Sequence, residues 1–364
     1  MRSSISSSEP DAVTAPLRTA NTYRVWSVRA LASLALFCIG IEVLTRFGYA
    51  RISRNEARIA NDHAAVLAIR KSNKPSVLLI GNSLLREDID YARLRESLHY
   101  QANAVQFPIE ETEYLDWFYG LRRLLDEGSR PDMIVLCINA EHLISSRIRG
   151  DYSVYYLFRF RDIPQIRRAI GYDLTKTSGL ALSRFSLFYA GRNNLRNFVL
   201  FRTAPAYTEV LQRIATPPAH VPSDQEIERI AESRLTALRV LCSSYGAQFA
   251  FLLPPAFGQE EASLVRAGTR SRTDVMVPIH LNALSRDKFK DGFHLNDSGA
   301  QIFTDKVSAL LKSRLEEHQT VSPDPGKDNT AGVQPSEFNL FIAASSRISS
   351  LSKRHYQLKR ICCK

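Results

Sequence analysis

The chain has 364 residues, 45% hydrophobic and 23% charged, which is enough to bury a sizeable core and excludes disorder as a whole-chain state. Its formal net charge of +11 suits an acidic partner without naming one. The five cysteines (Cys38, Cys137, Cys242, Cys362 and Cys363) show no metal-type spacing, so neither a disulfide framework nor a zinc site is indicated, and no cofactor is implied.

Residues 1–24 are rich in Ser, Pro and Ala and are expected to be disordered. Within 25–50, Ala30 to Ile41 is an apolar run. Extended to Ala50, it approaches the ~20 residues that a bilayer-spanning helix needs. Arg29 and Glu42 interrupt it, and Arg29 can snorkel to an interface. A single-pass signal anchor is the expected reading. A cleaved signal peptide and a buried soluble helix are its alternatives, and Gly48-Tyr49-Ala50 is a weak cleavage site. Arg18, Arg24 and Arg29 precede the run while Arg46, Arg51, Arg54 and Arg58 follow it, so charge bias barely sets orientation. A short N-terminus before a long domain is expected to place that domain outside the cytoplasm.

Residues 51–75 read as a helical connector, with Ile59, Ala64, Ala65, Leu67 and Ala68 as its apolar stripe. Ser76 to Ile80 then reads as a strand buried on both faces, Ile89 to Leu98 as a helix and Ala104 to Phe107 as a second strand. An amphipathic helix is expected from Thr112 to Glu127, presenting Leu115, Phe118, Leu121, Leu124 and Leu125, and Gly128 ends it. Trp117 and Tyr119 on that helix read as core or interface residues. Asp132 to Ile138 reads as the third strand. This alternation predicts an α/β fold, a three-layer, mostly parallel doubly wound sheet, over residues 76–318.

Residues 142–221 break the alternation and read as a mainly helical insertion. From Arg147 to Arg202 there are eleven Lys/Arg against three Asp, a net of +8, interleaved with Phe and Tyr. That is a solvated basic face or a site for anionic lipid headgroups or an acidic glycan. No nucleic-acid-binding signature accompanies it, so nucleic acid is set aside as a partner. Sheet logic resumes with a helix from Ser223 to about Tyr245, a strand from Gln248 to Leu253, a helix from about Gln259 to Ala267, a strand from Val275 to Ile279 and a last helix from Asp297 to Glu317. Residues 319–364 lose periodicity and read as a disordered basic tail.

Two segments carry chemistry. Gly81-Asn82-Ser83 follows the first strand, where open α/β sheets build their sites, and a tight turn there favours Gly81. Asp291-Gly-Phe-His294-Leu-Asn296 lies between the last strand and the last helix. Serine needs a base within hydrogen-bond reach to act as a nucleophile. His294 can be that base, and Asp291 can fix its tautomer from the same loop. The bland alternatives are a Ser83 that caps a helical turn and an Asn296 or Asp297 N-cap on a polar loop. Glu141 and His142 either line the same crevice or form a turn, and His280 reads as incidental.

Ile80-Gly-Asn-Ser83 and Asp291-Gly-Phe-His294-Leu-Asn-Asp-Ser-Gly299 resemble the first and last blocks of the SGNH, or GDSL-type, hydrolase superfamily, with Asn82 where Asp is more usual. The G-x-S-x-G elbow of α/β-hydrolases is absent. The resemblance implies a flavodoxin-like SGNH fold with Ser83, Asp291 and His294 as the catalytic triad. It also implies an oxyanion hole formed by the Ser83 backbone N–H, the Asn139 side chain in Cys137-Ile-Asn139-Ala140, and a glycine N–H expected at Gln106 to Glu110. No glycine occurs in that last stretch. The implied activity is a membrane-anchored serine esterase or acyltransferase acting on acyl, commonly O-acetyl, esters of an envelope polysaccharide. A lipid esterase and a non-catalytic glycan-binding or scaffolding protein are the alternatives.

Overall fold

The computed structural model describes residues 18–148, 151–204 and 222–321. The Ser76-Val-Leu-Leu-Ile-Gly81 segment forms β1 (Ser76–Gly81), and every one of its residues is buried. β1 pairs in parallel with β2 (Asn103–Pro108) on one side and with β3 (Met133–Cys137) on the other. β4 (Gln248–Leu252) and β5 (Asp274–Met276) extend the sheet beyond β3, giving the order β2-β1-β3-β4-β5 with all pairings parallel. The chain leaves β1 towards one edge and returns to its other side as β3. The carboxyl ends of β1 and β3 therefore flank a topological switch point, where loops diverge and open a crevice.

Side chains alternate across the strands and feed two cores. Leu78, Ile80, Ile134, Leu136, Phe249 and Phe251 face one core. It is completed by α2 (Arg54–Leu67), α5 (Tyr114–Asp126), α11 (Asp224–Ser243) and α12 (Glu261–Ser271). Val77, Leu79, Val135, Cys137, Ala250 and Leu252 face the other, closed by α3 (Ser83–Asp88), α4 (Tyr91–Leu98) and α13 (Asp297–Val321). Helices on both faces of a parallel sheet make three layers.

Two elements depart from the expectation. The helix expected from Ile89 to Leu98 is α4, which begins after Asp90, whose carboxylate accepts from the Arg93 N–H at 3.1 Å as an N-cap, and an unexpected short helix, α3, precedes it and ends at Asp88. β5 stops at Met276 rather than Ile279, because it is an edge strand and Pro278 has no N–H to continue a ladder.

α1 (Arg18–Ile52) begins inside the segment expected to be disordered and is continuous to the edge of α2. From Val25 to Tyr49 it is long and apolar enough to cross a membrane, and none of that stretch's most apolar window is buried within the protein. It is therefore not a helix buried in this chain's own core. Only its last turns pack on the domain: Tyr49 is buried, with its ring within 3.1 Å of where a Cβ on Gly191 would stand.

The described part of this region is helical, with α6 (Ala140–Ile144), α7 (Asp151–Leu157), α8 (Ile163–Ile170), α9 (Leu174–Phe185) and α10 (Leu187–Thr203). The remainder of the insertion from 205 to 221, residues 1–17 and the basic tail from 322 onwards lie outside the described residues.

Candidate active site

Ser83 is the first residue of α3 and not its cap. The cap is Asn82, whose side-chain oxygen accepts from the Leu84 N–H at 3.0 Å. As an N1 residue, Ser83 has an N–H without an acceptor in its own helix, and its hydroxyl is half-buried at the head of the crevice. Gly81 is required for a reason other than a turn. A Cβ there would stand 2.2 Å from the Cys137 carbonyl oxygen, so only glycine lets β1 and β3 meet this closely at their carboxyl ends.

His294 reaches Ser83 from a loop 211 residues away, with its Nε2 3.0 Å from the Ser83 Oγ. Its Nδ1 lies 2.7 Å from Asp291 Oδ2. The other Asp291 oxygen accepts from the backbone N–H groups of Phe293 at 3.0 Å and His294 at 2.7 Å, an Asx-type turn that fixes the imidazole relative to the carboxylate. Gly292 supplies the left-handed residue of this turn with φ 77°. The loop is fastened at both ends. Lys290 N–H donates to the His294 carbonyl at 2.9 Å, and Asn296 N–H donates to the Lys288 carbonyl at 2.9 Å. Asn296 also caps α13 through the Gly299 N–H at 3.0 Å, so the expected capping role coexists with the serine–histidine contact.

The electrostatics suit a carboxylate–imidazole pair. Partial burial pulls the Asp291 carboxyl upward, but hydrogen bonds from the His294 backbone and ring and the Phe293 backbone outweigh it, holding the carboxyl at about 2. Asp291 is therefore ionised across the neutral range. Asp88, at the end of α3, behaves oppositely. Its burial raises it to about 8, against hydrogen bonding from the Leu295 N–H. That N–H donates to Asp88 Oδ1 at 2.8 Å, so a largely protonated carboxyl joins the helix bearing Ser83 to the loop bearing His294. Asp88 Oδ2 is buried without a hydrogen-bond partner.

Asn82 joins the other walls. Its Nδ2 donates to the Thr112 carbonyl at 3.2 Å, in the loop after β2, and lies 3.0 Å from Nδ1 of His142, in the short helix after β3. With the Asn82 oxygen committed to Leu84, the amide is the donor and His142 Nδ1 the acceptor, which fixes the tautomer with its proton on Nε2. The Phe293 ring lies edge-on to both His142 at 6.4 Å and His294 at 5.1 Å, between the two imidazoles. Arg234 of α11 supports this wall by donating to the Leu143 and Ser145 carbonyls at 2.6 and 2.5 Å while lying over Tyr114 at 4.5 Å.

Asn139 stands two residues beyond Cys137 as Ser83 stands two beyond Gly81, and Gly81 and Cys137 are register partners. Its Oδ1 caps α6 by accepting from His142 N–H at 2.9 Å, which leaves the half-buried side chain its Nδ2 as donor. In the loop after β2, the Ile109 N–H is spent on the Gly81 carbonyl at 2.9 Å. The left-handed backbone that a glycine would ordinarily provide there falls on Glu111, with φ 59°. Next to it, Glu110 is held by Arg58 at 2.9 Å and Arg86 at 2.5 Å.

Ser83, Asp291 and His294 are thus brought together, with Asn139 at the neighbouring strand end. Trp117 and Tyr119 are fully buried in the core beneath β2, and His280 pairs with Glu261 at 2.6 Å instead of joining the site. Among the described residues no cluster of His, Cys, Asp or Glu is arranged to hold a metal ion. His142 and Asp88 emerge as site residues from contacts spanning 60 and 207 residues. His142 carried one sequence signal, its place just after a buried strand; Asp88 carried none. No protein-family model matches the chain, and no curated protein is significantly similar to it.

Proposed function

We propose that this chain is a membrane-anchored serine esterase or acyltransferase of the SGNH type. The observation that carries the reading is the hydrogen-bonded series Ser83 Oγ, His294 Nε2 at 3.0 Å, and His294 Nδ1 to Asp291 Oδ2 at 2.7 Å, set at the crevice of a parallel sheet. The strand order 2-1-3-4-5 is that of flavodoxin-like sheets, which supports the family resemblance.

In the reaction, Ser83 Oγ attacks the acyl carbonyl as its proton passes to His294 Nε2. Asp291 stabilises the resulting imidazolium. The oxyanion of the tetrahedral intermediate is held by the Ser83 N–H and Asn139 Nδ2. As the intermediate collapses, His294 returns the proton to the departing alkoxide, leaving an acyl ester on Ser83. Water or an acceptor hydroxyl, deprotonated in turn by His294, then releases the acyl group and restores the serine.

The substrates we assign are acyl esters, above all O-acetyl groups, of an envelope polysaccharide, with the domain outside the cytoplasm. The anchor reading is favoured over a cleaved signal peptide because the end of α1 is part of the domain. Glu42 accepts from the Ser186 hydroxyl at 2.6 Å and the Leu187 N–H at 2.9 Å, and Tyr49 is buried. This attachment also favours the second reading, a lipid ester presented at the membrane surface.

Acetate release from an O-acetylated polysaccharide by the full-length protein in detergent tests the assignment, with a short-chain phospholipid as the competing substrate. The proposal expects release from the polysaccharide that is lost in His294→Ala. Release equal in both proteins would refute it.

A further inference from the structure

We propose that the corner between α9 and α10 enters the membrane interface beside α1 and contacts anionic lipid through Leu182, Phe185 and Phe188. The inference rests on reading α1 as a membrane span. It is independent of the chemistry assigned to Ser83.

Glu42 fixes the depth of this corner. It lies seven residues before Tyr49, the end of the apolar stretch, and at 1.5 Å per residue that is ~10 Å inside its boundary. A carboxylate at that depth requires partners, and they come from the insertion. Glu42 accepts from the Ser186 hydroxyl at 2.6 Å and from the Leu187 and Phe188 N–H groups at 2.9 and 3.2 Å. Arg46 bridges the same junction, donating to Glu42 at 2.7 Å and to the Phe185 carbonyl at 3.1 Å. Residues 185–188 are therefore pinned at the level of Glu42. Leu44 and Phe47, nearer the domain than Glu42, are 73% and 74% exposed on α1. Any bilayer that covers those two side chains also reaches the corner.

The corner is built for such contact. Phe185 is 67% exposed, and Leu182 and Phe188 are exposed beside it. Leu174, Leu182 and Phe185 recur at i, i+8 and i+11, a spacing that puts them on one face of α9. Arg167, Arg168, Lys176 and Arg196 are exposed on α8, α9 and α10, basic side chains suited to anionic headgroups. Exposed apolar side chains on helices that also expose Lys and Arg are the composition of interfacial helices. The basic excess of the insertion thereby acquires a partner, with α1, α9 and α10 as one membrane-binding unit.

The test is photo-crosslinking of the full-length protein in vesicles of phosphatidylethanolamine and alkyne-tagged phosphatidylglycerol, with p-benzoylphenylalanine in place of Leu36, Phe185 or Tyr100. Leu36 reports the span, and Tyr100 is an exposed residue of the α4–β2 turn. The proposal expects lipid adducts at Leu36 and Phe185 and background at Tyr100. Adducts at Leu36 with background at Phe185 overturn the proposal and leave the span intact. Background at both overturns the span reading and the proposal together. An adduct at Phe185 only with an added acidic polysaccharide would assign the patch to glycan and overturn the lipid assignment.

Discussion

The Asn82 amide nitrogen lies 3.0 Å from Nδ1 of His142 and 3.2 Å from the Thr112 carbonyl, so one buried side chain joins the loops that follow β1, β2 and β3. Both neighbours are acceptors. A carboxylate at this position could not donate to the Thr112 carbonyl, which gives a physical reason for an amide at position 82. Ser83, the proposed nucleophile, is the next residue, so its position depends on this amide.

Asn82→Asp should therefore lower both stability and turnover. The Thr112 carbonyl loses its donor and faces a buried carboxylate, at a cost of about 1–3 kcal/mol. Thermal melting and turnover of p-nitrophenyl acetate check this. Melting equal to wild type would show that the amide does not hold the loops together.

Asn139 caps α6 and is proposed to donate to the oxyanion, roles that substitution can separate. Asn139→Asp keeps an oxygen to cap α6 and removes the Nδ2 donor. It is expected to retain the melting temperature while kcat falls by about 10²–10³-fold. Asn139→Ala should lose the rate and also about 1 kcal/mol of capping stability. Steady-state kinetics with parallel melts distinguish them, and an unchanged kcat in Asn139→Asp would remove Asn139 from the oxyanion hole.

Asp88 predicts a pH-dependent stability. Its folded carboxyl titrates at about 8 against an ordinary value of 3.8, so between those values the native state holds a proton that the unfolded chain releases. The resulting stabilisation is complete below about pH 4 and is lost as pH rises through about 8. Asp88→Asn has no such proton to lose. Relative to it, wild type should weaken by up to about 1.4 kcal/mol per pH unit across that window. Urea denaturation at pH 5 and pH 8 measures the difference, and parallel curves for the two proteins would contradict the assignment.

The strands were legible because β1, β3 and β4 are short apolar runs buried on both faces. Ser83, Asp291 and His294 were legible because each sits in a polar segment just beyond such a run or just before a helix. α3 was not, since Ser83-Leu-Leu-Arg-Glu-Asp88 is too short for a periodic signal, and its Leu84 and Leu85 are buried by packing against distant elements. Asp88 was hidden for a related reason, and His142 was legible only as a residue just past a buried strand and not by its contact. Their partners are Leu295 and Asn82, and no local pattern encodes a contact between loops so far apart in sequence. Gly81 was read as a turn residue, whereas its constraint is the Cys137 carbonyl on the adjacent strand.

The central claim is that Ser83 is a nucleophile activated by His294. Labelling of the full-length protein with a fluorophosphonate probe, followed by mass spectrometry of the modified peptide, measures this most directly. The account predicts an adduct on Ser83 in wild type, none in Ser83→Ala, and labelling slowed by at least about 10³-fold in His294→Ala. A wild-type protein labelled no more than Ser83→Ala would contradict it.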